Sequence, residues 1–320
     1  MVKLEYFTLP SGDKIPGIGF GSGTAWQHEK KGRPEEFKDT LHQPLVDSVY
    51  QAIETGFRHL DTAEVYTTHP EIGAAINKAI DNGLVKREDI WLTDKFFPGV
   101  IGLRGPFTSG PYESLTTGLE ELKLDYVDLY LIHNDIFEED QELLAKYWKE
   151  MEQLVSEGKA KNIGISNFST VSIETLLKVS TIKPAAHQFE YHPYLPEQIP
   201  GSLSATKDNG LLIEAYAPLL PLTKAKGGPL DPIIPRLAEK YGRSDSLILL
   251  RYAIQKGALP LTTSSKLERI QDVIKVFEFE LEDEDVKLIE EVGKSHFHRG
   301  FINFTLDKYN DELKKDLGLL

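Results

Sequence analysis

Short apolar runs alternate with longer segments of helical period along most of the chain. The apolar runs are rich in β-branched and aromatic residues and predict strands at 57–60, 90–94, 127–132, 161–165, 186–190, 211–216 and 258–262. The segments between them repeat about every 3.6 residues and predict helices at 71–82, 112–123, 140–157, 170–179, 197–209, 231–256 and 266–276. The strand segments are apolar throughout rather than alternating, which indicates strands with both faces covered.

These elements predict an α/β fold, arranged as a (β/α)8 TIM barrel. An eighth strand, G-I-G-F-G at 17–21, completes eight strand–helix pairs in a single barrel domain over 1–320. The turn-forming residues 10–13 separate 2–8 from 14–18 and predict an N-terminal β-hairpin. A doubly wound sheet is the alternative. It would require a glycine-rich phosphate loop that opens a helix, and no helix signal directly follows the glycines of the first strand.

Composition narrows the range of partners. The chain has 36 Lys and Arg against 50 Asp and Glu, and the net charge of −14 would repel the phosphates of nucleic acid and of anionic membranes. It lacks both a signal-peptide pattern and an apolar run of about 18 residues, the length that a transmembrane helix needs. It has no cysteine, which fits a reducing compartment. We therefore expect a cytoplasmic protein with no obligate protein partner.

Potentially reactive side chains stand where the predicted strands end. Asp61 and Tyr66 follow the strand at 57–60, Lys95 follows the next strand, and His133 follows the one after that. Further polar or aromatic residues near later strand ends are Ser166, Asn167, Gln188 and Tyr216. Because the carboxyl ends of barrel strands meet at one rim, we expect these side chains to lie close together.

The four central groups suit the reduction of a carbonyl compound. That reaction needs a hydride donor and a proton for the developing alkoxide. Tyr66 is the candidate proton donor, and the ammonium of Lys95 is expected to lower its pKa from the usual value of about 10. Asp61 would hold Lys95 in place, and His133 would orient the carbonyl oxygen by a hydrogen bond.

The chain resembles the aldo-keto reductases from about residue 8 to about residue 295. The motifs that carry the resemblance are K-I-P-G-I-G-F-G (14–21), G-F-R-H-L-D-T-A-E-V-Y (56–66), L-K-L-D-Y-V-D-L-Y-L-I-H (122–133), G-K-A-K-N-I-G-I-S-N-F (158–168), Q-F-E-Y-H-P-Y (188–194), E-A-Y-A-P-L (214–219) and T-T-S-S-K-L-E-R-I (262–270). The resemblance implies a barrel that binds extended NADPH without a Rossmann domain. It also implies a catalytic tetrad, which consists of Asp61, Tyr66, Lys95 and His133.

The resemblance further implies how the nicotinamide end of the cofactor is held. Ser166, Asn167 and Gln188 would bind the carboxamide, and Tyr216 would stack on the ring. Hydride transfer to an aldehyde or to an activated ketone follows as the expected activity, with Tyr66 as the proton donor.

The adenosine 2′-phosphate would face a cluster that follows the last strand. The resemblance assigns it to Ser264, Ser265 and Arg269, and the planar guanidinium suits a phosphate. The family pattern has a lysine where this chain has Thr263, so Lys266 is the candidate to replace it. NADPH is the expected cofactor, while the use of NADH is left open.

Three residues are candidates for the substrate pocket. They are Trp26, Phe97 and Asn134, and Asn134 stands where the family pattern commonly has Trp or Pro. Trp26 is equally compatible with a place in the core. The motif T-T-S-S-K-x-x-R resembles the fungal branch that includes α-keto amide and conjugated polyketone reductases. Residues after 296 would form a C-terminal loop over the active site.

Three alternative functions are also compatible with a barrel of this kind. One is an NADPH-binding sensor or interaction module of the potassium-channel β-subunit type, and another is an aldose-type reductase. A barrel enzyme of phosphosugar metabolism would give Tyr66 no role. His296 and His298 form an H-x-H without a third ligand at suitable spacing, so no metal site is expected.

Overall fold

Eight parallel strands close into a barrel in the computed structural model, which describes residues 4–37, 40–302 and 306–320. The barrel strands follow chain order, and the last strand pairs with the first. The strands are β1 (Tyr6–Thr8), β2 (Lys14–Pro16), β3 (Gly19–Gly21), β4 (His59–Asp61), β5 (Trp91–Phe96), β6 (Val127–Ile132), β7 (Ala160–Ser166), β8 (Ala186–Glu190), β9 (Leu212–Tyr216) and β10 (Ala258–Thr262). The predicted barrel is confirmed.

Helices cover the outside of the barrel. They are α1 (Ala25–Lys31), α2 (Gln43–Thr55), α3 (His69–Asp81), α4 (Pro111–Leu122), α5 (Gln141–Ser156), α6 (Thr170–Val179), α7 (Ser202–Asp208), α8 (Leu220–Thr223), α9 (Ile234–Tyr241), α10 (Asp245–Gln255), α11 (Leu267–Val273) and α12 (Asp283–Lys294), and a short helix at Asn310–Asp316 follows. Within the three described ranges, none of these helices has the length and apolarity to span a membrane.

The predicted N-terminal hairpin is present and covers one end of the barrel. β1 pairs antiparallel with β2, and Phe7 faces Ile15. Leu9 and Ile15 are buried in one cluster with Leu129 and Leu259, which belong to barrel strands. An apolar plug at this end leaves the carboxyl ends of the strands as the open end, where barrel enzymes carry their chemistry.

Local sequence explains where several helices begin and end. α2 ends at Thr55, and the next residue, Gly56, has a φ of 122°, which glycine adopts freely and which strains other residues. α7 begins at Ser202, five residues later than its period predicts, because Pro193, Pro196 and Pro200 interrupt the segment before it. The largest cluster of buried side chains lies between the barrel and the helices.

Candidate active site

A cavity of about 510 Å³ opens at the carboxyl ends of the strands. Its walls include six of the predicted site residues, namely Asp61, Tyr66, His133, Asn167, Gln188 and Tyr216. Asp61 and Tyr216 end β4 and β9, His133 directly follows β6, and Tyr66 ends a 3-10 turn just after β4. The structure thus brings together side chains that stand up to 155 positions apart in the sequence.

Asp61 and Lys95 form a buried ion pair between neighbouring strands. The Nζ of Lys95 donates to Oδ1 of Asp61 at 2.7 Å and to the main-chain oxygen of Thr62 at 2.8 Å. Burial alone would lower the pKa of Lys95, but the combined effect of Asp61, Tyr66 and Glu214 outweighs burial and raises that pKa. Lys95 is therefore an ammonium at neutral pH, held by a charged acceptor and a carbonyl.

Tyr66 and His133 meet at the wall of the cavity. The phenolic oxygen of Tyr66 lies 3.5 Å from Nε2 of His133, and the two rings form an edge-on contact with centroids 5.5 Å apart. The Nζ of Lys95 lies 5.2 Å from the centroid of the Tyr66 ring. A phenol, an imidazole and an ammonium therefore share one small region of the site.

Burial decides the protonation states of these two groups. It raises the pKa of Tyr66, and the opposing effect of Lys95 is smaller, so the expected net lowering of this pKa was wrong. Burial, reinforced by the charge of Lys95, holds the pKa of His133 well below its usual value. At neutral pH Tyr66 keeps its proton and His133 is uncharged.

The ring of Tyr66 packs closely against Gly23. A β-carbon on Gly23 would lie 2.9 Å from Cε2 and Cζ of Tyr66, closer than real contacts allow. Only a residue without a side chain fits against the phenol here. The sequence alone gives no signal for this contact, because the two residues are 43 positions apart.

Asn167 ties together the residues expected around the nicotinamide. Its Nδ2 donates to the main-chain oxygen of His133 at 2.8 Å and to Oγ of Ser166 at 2.9 Å. Its Oδ1 accepts a hydrogen bond of 2.9 Å from the hydroxyl of Tyr216. Asn167, Gln188 and Tyr216 line the cavity, whereas Ser166 is fully buried behind Asn167.

A buried acid that the sequence analysis missed lies beside Gln188. The Nε2 of Gln188 donates to Oδ2 of Asp61 at 3.0 Å and to Oε2 of Glu214 at 2.7 Å. Burial, together with the nearby charge of Asp61, raises the pKa of Glu214 to about 7. An acid inside the apolar run of β9 is the signal that could have found it, because buried glutamates are rare.

The cluster expected at the 2′-phosphate follows β10 at the surface. Ser265, Lys266 and Arg269 are exposed, and Ser264 accepts a hydrogen bond from the main-chain nitrogen of Lys266. The side chains of Lys266 and Arg269 have no acidic partner among the residues that the structure describes. The cavity reaches this segment through Thr263.

The candidates for the substrate pocket lie outside the lining of this cavity. Trp26 is buried in the main core, and its Nε1 donates to Oγ1 of Thr263 at 2.9 Å. Its indole thus points inward from α1, toward a residue of the cavity wall, and the pocket-lining role of Trp26 stays a prediction. Phe97 flanks His133 with ring centroids 6.5 Å apart, and Asn134 donates to the main-chain oxygen of Gly99.

The mouth of the cavity is formed by the segment that follows β9 and by the C-terminal segment. Lys224 follows α8, and its ammonium lies 3.6 Å from the centroid of the Phe301 ring. Phe301 and Ile302 line the cavity, so a C-terminal segment does run beside the site. Residues 303–305 of this expected loop lie outside the described residues.

A second cavity, of about 570 Å³, lies between α3 and α4 outside the barrel. Its walls include Lys30, His69, Phe107 and Glu121. It contains none of the four residues expected to react with a substrate. Three of those four, Asp61, Tyr66 and His133, line the slightly smaller cavity at the strand ends.

Known proteins resemble this chain in sequence over most of its length. Residues 17–294 match the model of the aldo/keto reductase family. An NADPH-dependent α-keto amide reductase of Saccharomyces cerevisiae is 38% identical over 97% of this chain and 98% of its own length. An NAD/NADP-dependent indole-3-acetaldehyde reductase of Schizosaccharomyces pombe is 35% identical over 91% of this chain and 96% of its own.

Solved structures resemble the barrel over nearly its whole length. An aldo-keto reductase of Bombyx mori in complex with NADP superimposes with a TM-score of 0.78 and 29% identity, over 97% of this chain and 99% of that one. An aldose reductase of Schistosoma japonicum gives a TM-score of 0.76 over 95% of this chain and 96% of that one, at 29% identity. Together with the barrel topology, these matches make the protein an NADPH-using oxidoreductase, and the chain belongs to the aldo/keto reductase family.

Proposed function

We propose that the protein catalyses the NADPH-dependent reduction of aldehydes and activated ketones, with Tyr66 as the proton donor. The observation that carries this proposal is the 3.5 Å approach of the Tyr66 hydroxyl to Nε2 of His133 on the wall of the cavity. A carbonyl oxygen between these two groups would receive a hydrogen bond from each, which is the arrangement that carbonyl reduction requires.

The residues around the cavity fit NADPH from one end to the other. Tyr216 offers an aromatic face at the inner end, beside the amides of Asn167 and Gln188. At the outer end, the cations of Lys266 and Arg269 lack an acidic partner among the described residues, which suits a phosphate. Bound NADPH supplies the hydride that the carbonyl carbon accepts.

The four tetrad residues orient the substrate and transfer the proton. His133 is uncharged, and its Nε2–H donates to the carbonyl oxygen and orients it. As negative charge develops on that oxygen, Tyr66 transfers its phenolic proton to it and the alcohol forms. The ammonium of Lys95 stabilises the phenolate left behind, and Asp61 holds that ammonium in place. Water then returns a proton to Tyr66.

Activated ketones are the substrates we favour. The Saccharomyces cerevisiae relative is an NADPH-dependent α-keto amide reductase, and it matches nearly the whole chain. A neighbouring carbonyl withdraws electrons and makes the ketone carbon a better hydride acceptor. We therefore propose α-keto amides, α-keto esters, α-keto lactones and diketones as the main substrates, with aldehydes reduced as well.

A small substrate panel tests the proposal. NADPH oxidation is followed by absorbance with an aromatic aldehyde, an α-keto ester, an α-keto lactone and an aldose, and NADH is run in parallel. We expect the α-keto ester and the α-keto lactone to be reduced fastest. Tight NADPH binding without oxidation on any compound would refute the reductase assignment and favour a sensing role.

A further inference from the structure

Gln198 lies directly behind the two residues expected to hold the nicotinamide. It is 1% exposed and follows β8 in an irregular segment. Its Nε2 donates to Oδ1 of Asn167 at 3.1 Å and to the hydroxyl of Tyr216 at 2.8 Å. Tyr216 in turn donates to the same Oδ1 at 2.9 Å, so three side chains form a closed triangle of hydrogen bonds.

These hydrogen bonds fix the orientation of the Tyr216 hydroxyl and of the Asn167 side-chain amide. The Tyr216 hydroxyl has one proton, which goes to Asn167, and it accepts the one that Gln198 donates. Asn167 has its two amide protons and its two acceptor positions occupied, and its φ of 58° is unusual for a residue other than glycine. Without Gln198, the Tyr216 ring and the Asn167 amide would each lose a restraint on their rotation.

Gln198 is itself held by the C-terminal segment. The guanidinium of Arg299 is 6% exposed, and its Nη2 donates to the main-chain oxygen of Gln198 at 2.7 Å. The next two main-chain nitrogens, of Gly300 and Phe301, donate to the buried carboxylate of Glu190 at 2.7 and 3.0 Å. Glu190 ends β8, so the segment 299–301 is fastened to the same strand that leads to Gln198.

The same segment contacts the Tyr216 ring through Phe301, which lines the cavity. The ring of Phe301 lies edge-on to Tyr216, with centroids 5.9 Å apart and planes at 89°. Tyr216 is thus restrained at its hydroxyl by Gln198 and at its ring by Phe301. A Tyr216 ring that is already restrained loses less conformational entropy when the cofactor binds, which raises affinity.

We propose that Gln198 is a positioning residue for the nicotinamide half of NADPH, acting through Tyr216 and Asn167, and that Arg299 holds it in place. This inference rests on the proposed roles of Tyr216 and Asn167 at the nicotinamide. It does not depend on the identity of the carbonyl substrate, because its consequence is a change in cofactor binding.

The test compares two ligands that share the adenosine 2′-phosphate. Gln198→Met keeps the length of the side chain and removes its donors, and titration calorimetry measures the Kd of NADPH and of adenosine 2′,5′-bisphosphate, which lacks the nicotinamide. We expect the Kd of NADPH to rise about tenfold, as for the loss of one buried hydrogen bond, and that of the bisphosphate to stay within about twofold. Gln153→Met, at an exposed position on α5, is the matched control and should change neither.

A double-mutant cycle separates positioning from a structural role. In a Tyr216→Phe background the hydroxyl is gone, so Gln198→Met should weaken NADPH much less than it does in the wild type. In Gln198→Asn the side-chain amide is one methylene too short to reach both Asn167 and Tyr216, so this variant should behave like Gln198→Met. It replaces Gln198→Met in the test if that variant folds poorly. Equal weakening of both ligands, or strictly additive effects in the cycle, would overturn the proposal. Because no substrate is present, a failure of the carbonyl panel would leave this result unaffected.

Discussion

The ammonium of Lys95 and the carboxylate of Asp61 lie 2.7 Å apart in a setting where the side chains are 0% and 5% exposed. Burying such a pair rarely stabilises a protein, because the cost of removing both charges from water is close to the attraction between them. Its position beside Tyr66 suggests that the pair is kept for the reaction rather than for the fold.

Removing one partner should therefore cost stability, and removing both should cost less. Asp61→Asn leaves the Lys95 ammonium buried without a counter-charge, and we expect a loss of about 3–5 kcal/mol in the free energy of unfolding. The double variant Asp61→Asn with Lys95→Met should recover most of that loss, as measured by urea unfolding, yet remain inactive. An active double variant would show that the pair has no part in the chemistry.

Gly23→Ala should impair turnover without unfolding the barrel. The new methyl group would lie 2.9 Å from the Tyr66 ring and push the phenol away from His133. Since misplacement by about 1 Å can cost about 100-fold, we expect kcat to fall at least tenfold. The matched control is Gly105→Ala, because nothing lies within 4 Å of a β-carbon there and its φ is not strained. Equal activities of the two variants would contradict the role of Gly23.

The fold and much of the site were predictable because local patterns encode them. β6 occupies the residues predicted for it, and the strand ends bring Asp61, Tyr66 and His133 to one cavity as a barrel requires. The direction of Trp26 was not predictable, because it depends on how α1 packs on the core and on a hydrogen bond to Thr263.

Effects that depend on burial, such as pKa shifts, were also not predictable from the sequence. The sequence shows Lys95 near Tyr66 in the expected fold, but only the structure shows that desolvation outweighs the ammonium and raises the pKa of Tyr66. Gln198 and Glu214 form hydrogen bonds with partners distant in sequence, so no local motif reveals these contacts.

Glu214 should make stability depend on pH. Its pKa is raised from 4.5 to about 7 in the folded state, so the folded protein binds the proton more tightly than the unfolded chain. Its contribution is fully present below about pH 4.5 and is lost as the pH rises to about 7. Relative to Glu214→Gln, the wild type should lose on the order of 3 kcal/mol across this window. Urea unfolding of both proteins at several pH values measures the difference, and a constant difference would refute the assignment.

Lys266→Ala combined with Arg269→Ala should change cofactor preference. If these cations bind the 2′-phosphate, the double variant should weaken NADPH far more than NADH, because NADH lacks that group. Fluorescence titration with both cofactors measures the effect. Lys287→Ala removes an exposed cation on α12 and is the control. Equal losses for both cofactors would rule out a 2′-phosphate site here.

The proton-donor role of Tyr66 is the central claim, and Tyr66→Phe tests it most directly. The variant removes one hydroxyl and leaves the ring against Gly23 and His133. With the best carbonyl substrate of the panel, we expect the rate of NADPH oxidation to fall by about 100-fold or more, while the Kd of NADPH changes by less than about threefold. Substantial turnover by the variant would contradict the account.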